Sequence, residues 1–267
     1  GTAKPTASVR AAIPHHLIDI RDPSEAYSAG AFVTDVARLV PQIIARGRLP
    51  VIVGGTMLYL RTLVRGIAAL PEATPELRQA IDSEAAERGW PALHAALREV
   101  DPAAAARIHP HDPQRIQRAL EVFRLTGTPI SVLQHRTTPT TPYVFSRIAI
   151  APASRTLLHG QIEQRFMAML GAGLIGEVAG LRARGNLTER HASIRSVGYR
   201  QLWAHVAGEY DLDTAVCKAV AATRQLAKRQ LTWLRSDPGM TWLDPTDAAT
   251  KRVLKSRATE LLRNDCG

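Results

Sequence analysis

Apolar residues recur along the chain with two different spacings, and the spacing changes first near residue 47. Over residues 27–46 they return every three or four positions, which predicts an amphipathic helix with Pro41 inside it and Gly47 at its end. The next apolar run, Leu49 to Val53, is continuous and β-branched, which predicts a strand covered on both faces. A helix followed by a parallel strand is typical of α/β sheets, so the sequence predicts an α/β fold.

The pattern from Thr74 to Leu133 is helical throughout, and it predicts no strand. Thr74 is the expected N-cap of the first helix, because Pro75 follows it in the first helical position. The predicted helices cover residues 75–88, 90–100, 102–108 and 112–125. The sequence therefore predicts an all-helical insertion, which we assign to residues 71–141, with a Thr/Pro-rich linker over residues 137–142 at its end.

The strand pattern returns after this linker. Strands are predicted over residues 143–151 and at Trp242–Leu243. Helices are predicted over residues 152–173, 175–184, 198–206, 213–235 and 250–262. We therefore assign residues 1–70 and 142–267 to the α/β core, where ligands are expected at the carboxyl ends of the parallel strands.

Charge narrows the choice of partner. The 267 residues carry a net charge of +10, and arginine dominates the basic residues, so a polyanion such as nucleic acid is the expected partner. Cys217 and Cys266 lie far apart without metal-ligand spacing, which fits a reducing, cytoplasmic environment. We found no apolar run long enough to cross a membrane and no secretory signal, so no membrane partner is expected.

A glycine turn follows the predicted strand at its carboxyl end. Gly54 and Gly55 allow a sharp turn and the close approach of a ligand, and Thr56 stands where the next helix begins. The turn is therefore a candidate ligand site. An ordinary strand-to-helix turn with a threonine cap explains the same residues equally well.

The long helix near the C-terminal end is strongly basic. Arg224, Lys228 and Arg235 share one face, with Arg229 beside them, while Leu226 and Trp233 are expected on the buried side. Such a face favours an anion, either pyrophosphate or an RNA backbone. A solvated basic face is the alternative.

Three further segments carry candidate chemistry. The turn over residues 195–201 can bring backbone N–H groups and arginines to one phosphate, or it can simply start a helix with Tyr199 packed inside. The start of the helix at residue 112 is crowded with donors suited to RNA, namely Gln114, Arg115, Gln117 and Arg118. His109 and His111 give only a weak metal signal.

Two aspartates lie near the N-terminal end of the chain. Asp19 and Asp22 are either acid–base residues or metal ligands, or they are turn and cap residues. Ser24, in the same turn, is predicted to cap the helix that follows.

Six blocks of the sequence resemble bacterial tRNA dimethylallyltransferases, also called tRNA isopentenyltransferases. The blocks are GTAKP at 1–5, PHHLID at 14–19, GGTMLY at 54–59, DPQR at 112–115, SVGYRQ at 196–201 and RQLAKRQ at 224–230. The resemblance implies a P-loop-kinase-like α/β core with a helical insertion that grips tRNA. It also implies transfer of a dimethylallyl group from dimethylallyl diphosphate to the exocyclic N6 of the adenosine 3′ to the anticodon, with Mg²⁺ assisting and a monomeric protein.

The resemblance also implies roles for residues of this chain. Thr56 and Arg200 would be catalytic, and Arg200, Arg224 and Lys228 would bind the diphosphate. Contacts to the tRNA anticodon arm would come from Gly54, Gly55, Thr56, Arg78, Gln114, Arg115, Ile116, Gln117, Arg118, Arg195, Ser196, Val197, Gly198, Tyr199, Arg200, Lys228, Arg229, Gln230, Leu231, Thr232, Trp233, Leu234 and Arg235. No protein ligand is assigned to the metal.

The sequence departs from the family pattern at its beginning. The family's phosphate loop, which binds nucleotide-like phosphates, and its general-base aspartate precede the GTAKP block, and the sequence starts at that block. We therefore expect this polypeptide alone to be inactive. Two other readings stay open, a tRNA-binding fragment without catalysis and a P-loop small-molecule kinase that consumes ATP.

Overall fold

The computed structural model describes residues 4–66, 68, 70–134 and 141–264. The chain forms two compact units, one from Gly1–Leu60 with Val144–Gly267 and the other from Arg61–Tyr143. Most of the predicted linker, residues 137–140, and Cys266 lie outside the described residues.

Thirteen helices and two strands make up the described structure. In chain order they are α1 (Ala7–Ala12), α2 (Ala29–Ile44), α3 (Met57–Arg65), α4 (Pro75–Arg88), α5 (Trp90–Val100), α6 (Pro102–Ala105), α7 (Pro113–Thr126), α8 (Ile130–Gln134), β1 (Ile148–Ile150), α9 (Arg155–Gly171), α10 (Leu174–Ala183), α11 (Tyr199–Val206), α12 (Leu212–Arg235), β2 (Thr241–Leu243) and α13 (Thr250–Asn264).

The start of α2 corrects one predicted cap. Ser28, rather than Ser24, is the N-cap, and its hydroxyl accepts a hydrogen bond from the Ala31 N–H at 3.1 Å. The Ser24 side chain is used in the preceding turn, where its hydroxyl donates to the Asp22 carboxylate at 2.6 Å. Pro41 lies inside the helix as predicted.

The predicted strand at Leu49 to Val53 is wrong. These residues form no strand, and Val51 and Val53 are 72% and 89% exposed. A strand needs a hydrogen-bonded neighbour, and in the described part of the chain the one ladder joins β1 to β2. The apolar composition alone therefore does not produce a strand here.

β1 and β2 form a two-stranded parallel sheet. Ile148 pairs with Thr241, Ala149 with Trp242 and Ile150 with Leu243. The strand predicted over residues 143–151 is thus real but only three residues long. Beside the sheet, the Arg147 Nη1 contacts the Asp237 carboxylate at 2.6 and 2.5 Å.

Each unit has its own apolar core. In the first, Phe166 and Ile162 of α9 pack with Val178 of α10 and Leu202 and Trp203 of α11. In the second, α4, α5 and α7 pack around a cluster that includes Ile81, Leu93, Leu97, Ile116 and Leu120.

In the second unit, the buried carboxylate of Asp101 connects two helices through hydrogen bonds. Asp101 is the N-cap of α6, accepting from the Ala104 N–H at 2.9 Å. It also accepts from the Ser131 N–H at 2.9 Å and from the Ser131 hydroxyl at 2.7 Å. Asp101 therefore ties α6 to α8.

No single described helix has both the length and the apolar composition to cross a membrane. α9 and α10 are long and apolar enough only when they are counted as one segment, and a bend of 62° separates them. Their apolar residues contribute to the core of the first unit.

Candidate functional site

The glycine turn is held against the basic helix α12. The Gln230 Nε2 donates a hydrogen bond to the Gly55 carbonyl at 2.8 Å. On the other side of the turn, the Thr56 carbonyl accepts from the Tyr59 N–H at 2.9 Å and so begins α3, as predicted. The Tyr59 ring stacks on Phe32 of α2 with centroids 5.2 Å apart. The turn is thus fixed between α2, α3 and α12, with Thr56 exposed.

The exposed face of α12 carries unpaired cations. In the part of the chain that the structure describes, Lys228, Arg229 and Arg235 are exposed and have no acidic partner. Arg224 differs, because its Nη2 contacts Glu163 at 3.2 Å and its Nε is buried without a hydrogen bond. An anion would therefore meet three available cations, with Arg224 already partly neutralised.

Trp233 corrects the expected division of α12 into two faces. The helical pattern predicts it on the buried side, but it is among the exposed large apolar residues. Leu226, Leu231 and Leu234 are half-buried. Gln230 lies on the inner side with Leu231, and Thr232 is exposed beside the cations.

The turn before α11 is built around Gly198. This residue has a φ of 92°, which favours glycine, and its N–H donates to the Gln201 Oε1 at 2.9 Å. A Cβ on Gly198 would lie 3.4 Å from the Phe166 ring. The Ser196 carbonyl accepts from the Arg200 N–H, Val197 is half-buried, and the Arg195 side chain is exposed.

Tyr199 is half-buried, as the packing alternative predicted. Its hydroxyl donates to the Glu177 Oε1 at 2.7 Å. Burial and the Glu177 carboxylate both raise the pKa of Tyr199. The side chain therefore anchors the turn to α10 and stays protonated at neutral pH.

Arg200 lines an open cavity of about 450 Å³ between α11 and α12. Its wall includes the carboxylates of Glu189 and Glu209 and the ammonium of Lys218. On α12 the cavity reaches Gln225, five residues before Gln230, which places these two side chains about 140° apart around the helix. No hydrogen bond or ion pair of the described residues joins Arg200 to the glycine turn, and Thr56 does not line the cavity that contains Arg200.

In the second unit, two predicted RNA contacts, Arg78 and Arg118, bind one carboxylate, and a third, Gln117, binds beside them. Arg78 of α4 donates from Nε to the Glu121 Oε1 at 3.1 Å, and Arg118 donates from Nη1 to Glu121 Oε2 at 3.3 Å. Arg118 also donates to the Pro71 carbonyl at 2.9 Å. Gln117 donates to the Arg78 carbonyl at 3.3 Å and to Asp82 at 2.9 Å.

The first turn of α7 divides its donors between surface and core. Arg115 is exposed, with its Nε 3.5 Å from Asp112, the residue that caps the helix as predicted. Gln114 is exposed and engaged in a contact of its own. Ile116 is fully buried in the core of the second unit. Its predicted place among the RNA contacts is therefore wrong, because an inaccessible side chain cannot touch RNA.

The carboxylates of Asp19 and Asp22 form ion pairs with basic side chains, and Asp22 also stabilises a turn. Asp22 accepts from Ser24 and from Arg184, whose Nη2 lies 2.9 Å from both carboxylate oxygens, and these bonds lower the pKa of Asp22. Asp19 accepts from Lys4 and from Arg10. Among the described residues no three His, Cys, Asp or Glu side chains converge as a metal site.

Glu121 and Glu163 were absent from the predicted site residues. Glu121 could have been found as the i+3 partner of Arg118, a spacing that places the two side chains on one face of a helix. Glu163 lies 61 residues from Arg224, and only the fold joins them.

A family model described as IPP transferase matches residues 1–237. The chain belongs to the IPP transferase family. It is 53% identical over 259 residues to a tRNA dimethylallyltransferase of Methylococcus capsulatus, an alignment that covers 95% of this chain and 83% of the relative. The resemblance drawn from the six sequence blocks is thereby confirmed.

Solved structures agree with this assignment. The tRNA isopentenylpyrophosphate transferase of Bacillus halodurans is similar with a TM-score of 0.64 and 33% identity, covering 100% of this chain and 82% of that one. The tRNA isopentenylpyrophosphate transferase of Staphylococcus epidermidis is similar with a TM-score of 0.65 and 30% identity, covering 97% of this chain and 84% of that one. A eukaryotic dimethylallyltransferase acting on tRNA is similar with a TM-score of 0.75 and 24% identity, covering 98% of this chain and 67% of that one. At this identity the similarity shows only that the two chains share a fold. The predicted P-loop-kinase-like fold class is confirmed, with a small parallel sheet in an α-rich chain.

Proposed function

We propose that this chain transfers a dimethylallyl group from dimethylallyl diphosphate to the N6 of the adenosine 3′ to the anticodon of tRNA. The observation that carries the proposal is the hydrogen bond between Gln230 and Gly55, which holds a glycine turn against a helix with three available cations. Family membership supports the reaction, because the relative with 53% identity carries the name tRNA dimethylallyltransferase.

The chemistry places different demands on the two reactants. The adenosine amine is a poor nucleophile, since its lone pair is delocalised into the ring, so the base must leave its stack and be held in line with the allylic carbon. We assign this positioning to Gly54, Gly55 and the exposed Thr56 hydroxyl. The C–O bond of the prenyl donor breaks as the C–N bond forms, and the diphosphate leaves with its electron pair.

The leaving diphosphate gathers negative charge, which cations stabilise. On α12 we assign Lys228 to this role; like Arg229 and Arg235, it is exposed and has no acidic partner among the described residues. Arg224, with its Glu163 partner, and Arg200, in the cavity beside Glu189 and Glu209, are assigned to the diphosphate in the same proposal. The adenosine amine also loses a proton in this reaction. We name no described residue as the base that accepts it.

Mg²⁺, a monomeric state and a cytoplasmic location complete the proposal. Mg²⁺ generally binds through substrate phosphates, waters and one or two carboxylates, so it does not need a cluster of three protein ligands. The described residues offer no such cluster, and we therefore name no ligand and derive no step through the metal.

The deciding experiment measures prenyl transfer directly. The protein is incubated with dimethylallyl diphosphate, Mg²⁺ and an anticodon stem-loop, and the nucleosides are analysed by mass spectrometry. Dimethylallyl adenosine at the position 3′ to the anticodon supports the proposal, and a stem-loop with guanosine there should give no product.

The same assay separates the alternatives. Stem-loop binding without prenyl transfer would indicate a tRNA-binding protein without catalysis. Consumption of ATP with phosphoryl transfer to a small molecule, and no use of dimethylallyl diphosphate, would indicate a kinase.

A further inference from the structure

One buried carboxylate in the helical unit binds two arginines. Glu121 of α7 is 2% exposed, whereas the side chain of its partner Arg78 is 56% exposed. Arg118, the second partner, uses both of its terminal nitrogens inside the protein, one on Glu121 and one on the Pro71 carbonyl. We call these three residues the Glu121 cluster. It carries two positive charges and one negative charge, so its net charge is positive.

Within the Glu121 cluster, the two arginines differ in what they can still bind. Arg78 meets Glu121 through Nε alone, and no described residue accepts from its two terminal nitrogens. Its backbone is held as well, because Gln117 donates to the Arg78 carbonyl and to Asp82 one turn further along α4. The forked end of Arg78 therefore points away from a fixed base, in the geometry that suits a phosphate.

We propose that Glu121 is a positioning residue for RNA, which holds Arg78 so that its terminal nitrogens bind a backbone phosphate of the anticodon arm. This inference rests on the proposed function, because tRNA is the polyanion concerned. A free arginine loses side-chain entropy when it binds a phosphate. Arg78 has already lost much of that freedom to the carboxylate, and Arg118 offsets the charge that Glu121 would otherwise direct at the RNA.

The structure provides a matched control on the same pair of helices. Glu84 of α4 also binds two arginines, Arg88 and Arg124, the latter at 2.6 Å. No predicted RNA contact belongs to this second cluster. E121Q and E84Q each remove one negative charge and preserve the shape of the side chain, so they change the net charge of the protein equally.

The test compares the direction of two affinity changes. Binding of a fluorescent anticodon stem-loop to the full chain is measured by anisotropy at several salt concentrations, with thermal unfolding as a check on folding. General electrostatics predicts that both substitutions strengthen RNA binding, because each raises the net charge. We expect E121Q to weaken binding about fivefold and to reduce the salt dependence, while E84Q leaves binding unchanged or strengthens it.

A second set of variants separates positioning from general damage. If Glu121 acts through Arg78, then R78A should weaken binding about as much as E121Q, and adding E121Q to R78A should cause no further loss. E121D, which keeps the charge, should recover part of the affinity. Equal effects of E121Q and E84Q, or additive effects of R78A and E121Q, would overturn the inference. Absence of stem-loop binding by the unmodified chain would instead contradict the proposed function.

Discussion

Gln230 and Gly55 are 175 residues apart in sequence, yet the Gln230 amide donates to the Gly55 carbonyl at 2.8 Å. An added Cβ on Gly55 would lie 2.6 Å from the same Gln230 nitrogen, whereas a Cβ on Gly54 would meet nothing within 4 Å. The two adjacent glycines therefore have different roles. Gly55 allows the close approach of α12, and Gly54 does not need to be glycine for that contact.

We expect G55A to destabilise the protein by about 1 kcal/mol, because the flexible Gln230 side chain can move aside but loses its hydrogen bond. G54A should leave stability almost unchanged. Urea unfolding of both variants checks this difference. A double-mutant cycle with Q230A provides the control, since G55A should add little once the amide is gone. Additive losses would show that Gly55 matters for another reason.

Local signals in the sequence were sufficient where a helix begins with its own cap. Thr74 and Asp112 cap α4 and α7 as predicted, because the cap, the following proline and the accepting side chain are all neighbours in sequence. Ser24 and Ser28 show the limit of this approach. Both are cap residues by type, but Ser28 immediately precedes Ala29, the first residue of α2, and the Ser24 hydroxyl instead donates to Asp22.

Features that depend on distant residues were not predictable. The run at Val51 to Val53 has strand composition, but a strand needs a paired neighbour, which composition does not reveal. Ile116 lies in a block of RNA-like donors, yet residues 114–118 span more than one helical turn, so part of the block must face the core. Arg78 and Glu121 meet across 43 residues.

Asp101 should contribute more to stability than any exposed cap. D101A leaves the buried Ser131 N–H and the Ala104 N–H without their acceptor, and we expect a loss of about 2–3 kcal/mol in the free energy of unfolding. D112A, at the more exposed cap of α7, should cost about 1 kcal/mol. Chemical denaturation at neutral pH compares the two. Equal losses would contradict the role assigned to Asp101.

The Asp101 carboxylate should also make the stability of the protein depend on pH in the acidic range. Burial opposes ionisation of Asp101, but the hydrogen bonds from Ser131 and Ala104 outweigh it, so the pKa of Asp101 is lowered. Its stabilising effect is complete above the unfolded pKa of about 4 and is lost as pH falls through the lower folded value. Unfolding of D101N should therefore depend less on pH below about 4 than unfolding of the unmodified chain. Parallel curves would contradict this assignment.

Tyr199 should make the stability of the protein depend on pH in the alkaline range, where stability falls as pH rises. Its pKa is raised above the ordinary value of 10.0 by burial and by the Glu177 carboxylate. The proton on Tyr199 therefore stabilises the folded state below pH 10.0, and this contribution is lost as pH rises toward the folded pKa. Y199F should reduce stability at neutral pH by about 1 kcal/mol and should lose less than the unmodified chain above about pH 10. A steeper alkaline loss in Y199F would contradict the hydrogen bond to Glu177.

Lys228 should contribute one phosphate contact if α12 faces the substrate RNA. It is exposed on α12 and has no partner among the described residues, so K228A removes a cation without breaking an internal ion pair. The slope of log affinity against log salt concentration for an anticodon stem-loop should fall by about 1. K251A is the matched control, because Lys251 is also an exposed lysine at a helix surface but lies beyond residues 1–237, the part matched by the family model. An equal change of slope in K251A would mean that RNA responds to the overall charge of the protein, and the assignment of α12 as the binding face would fail.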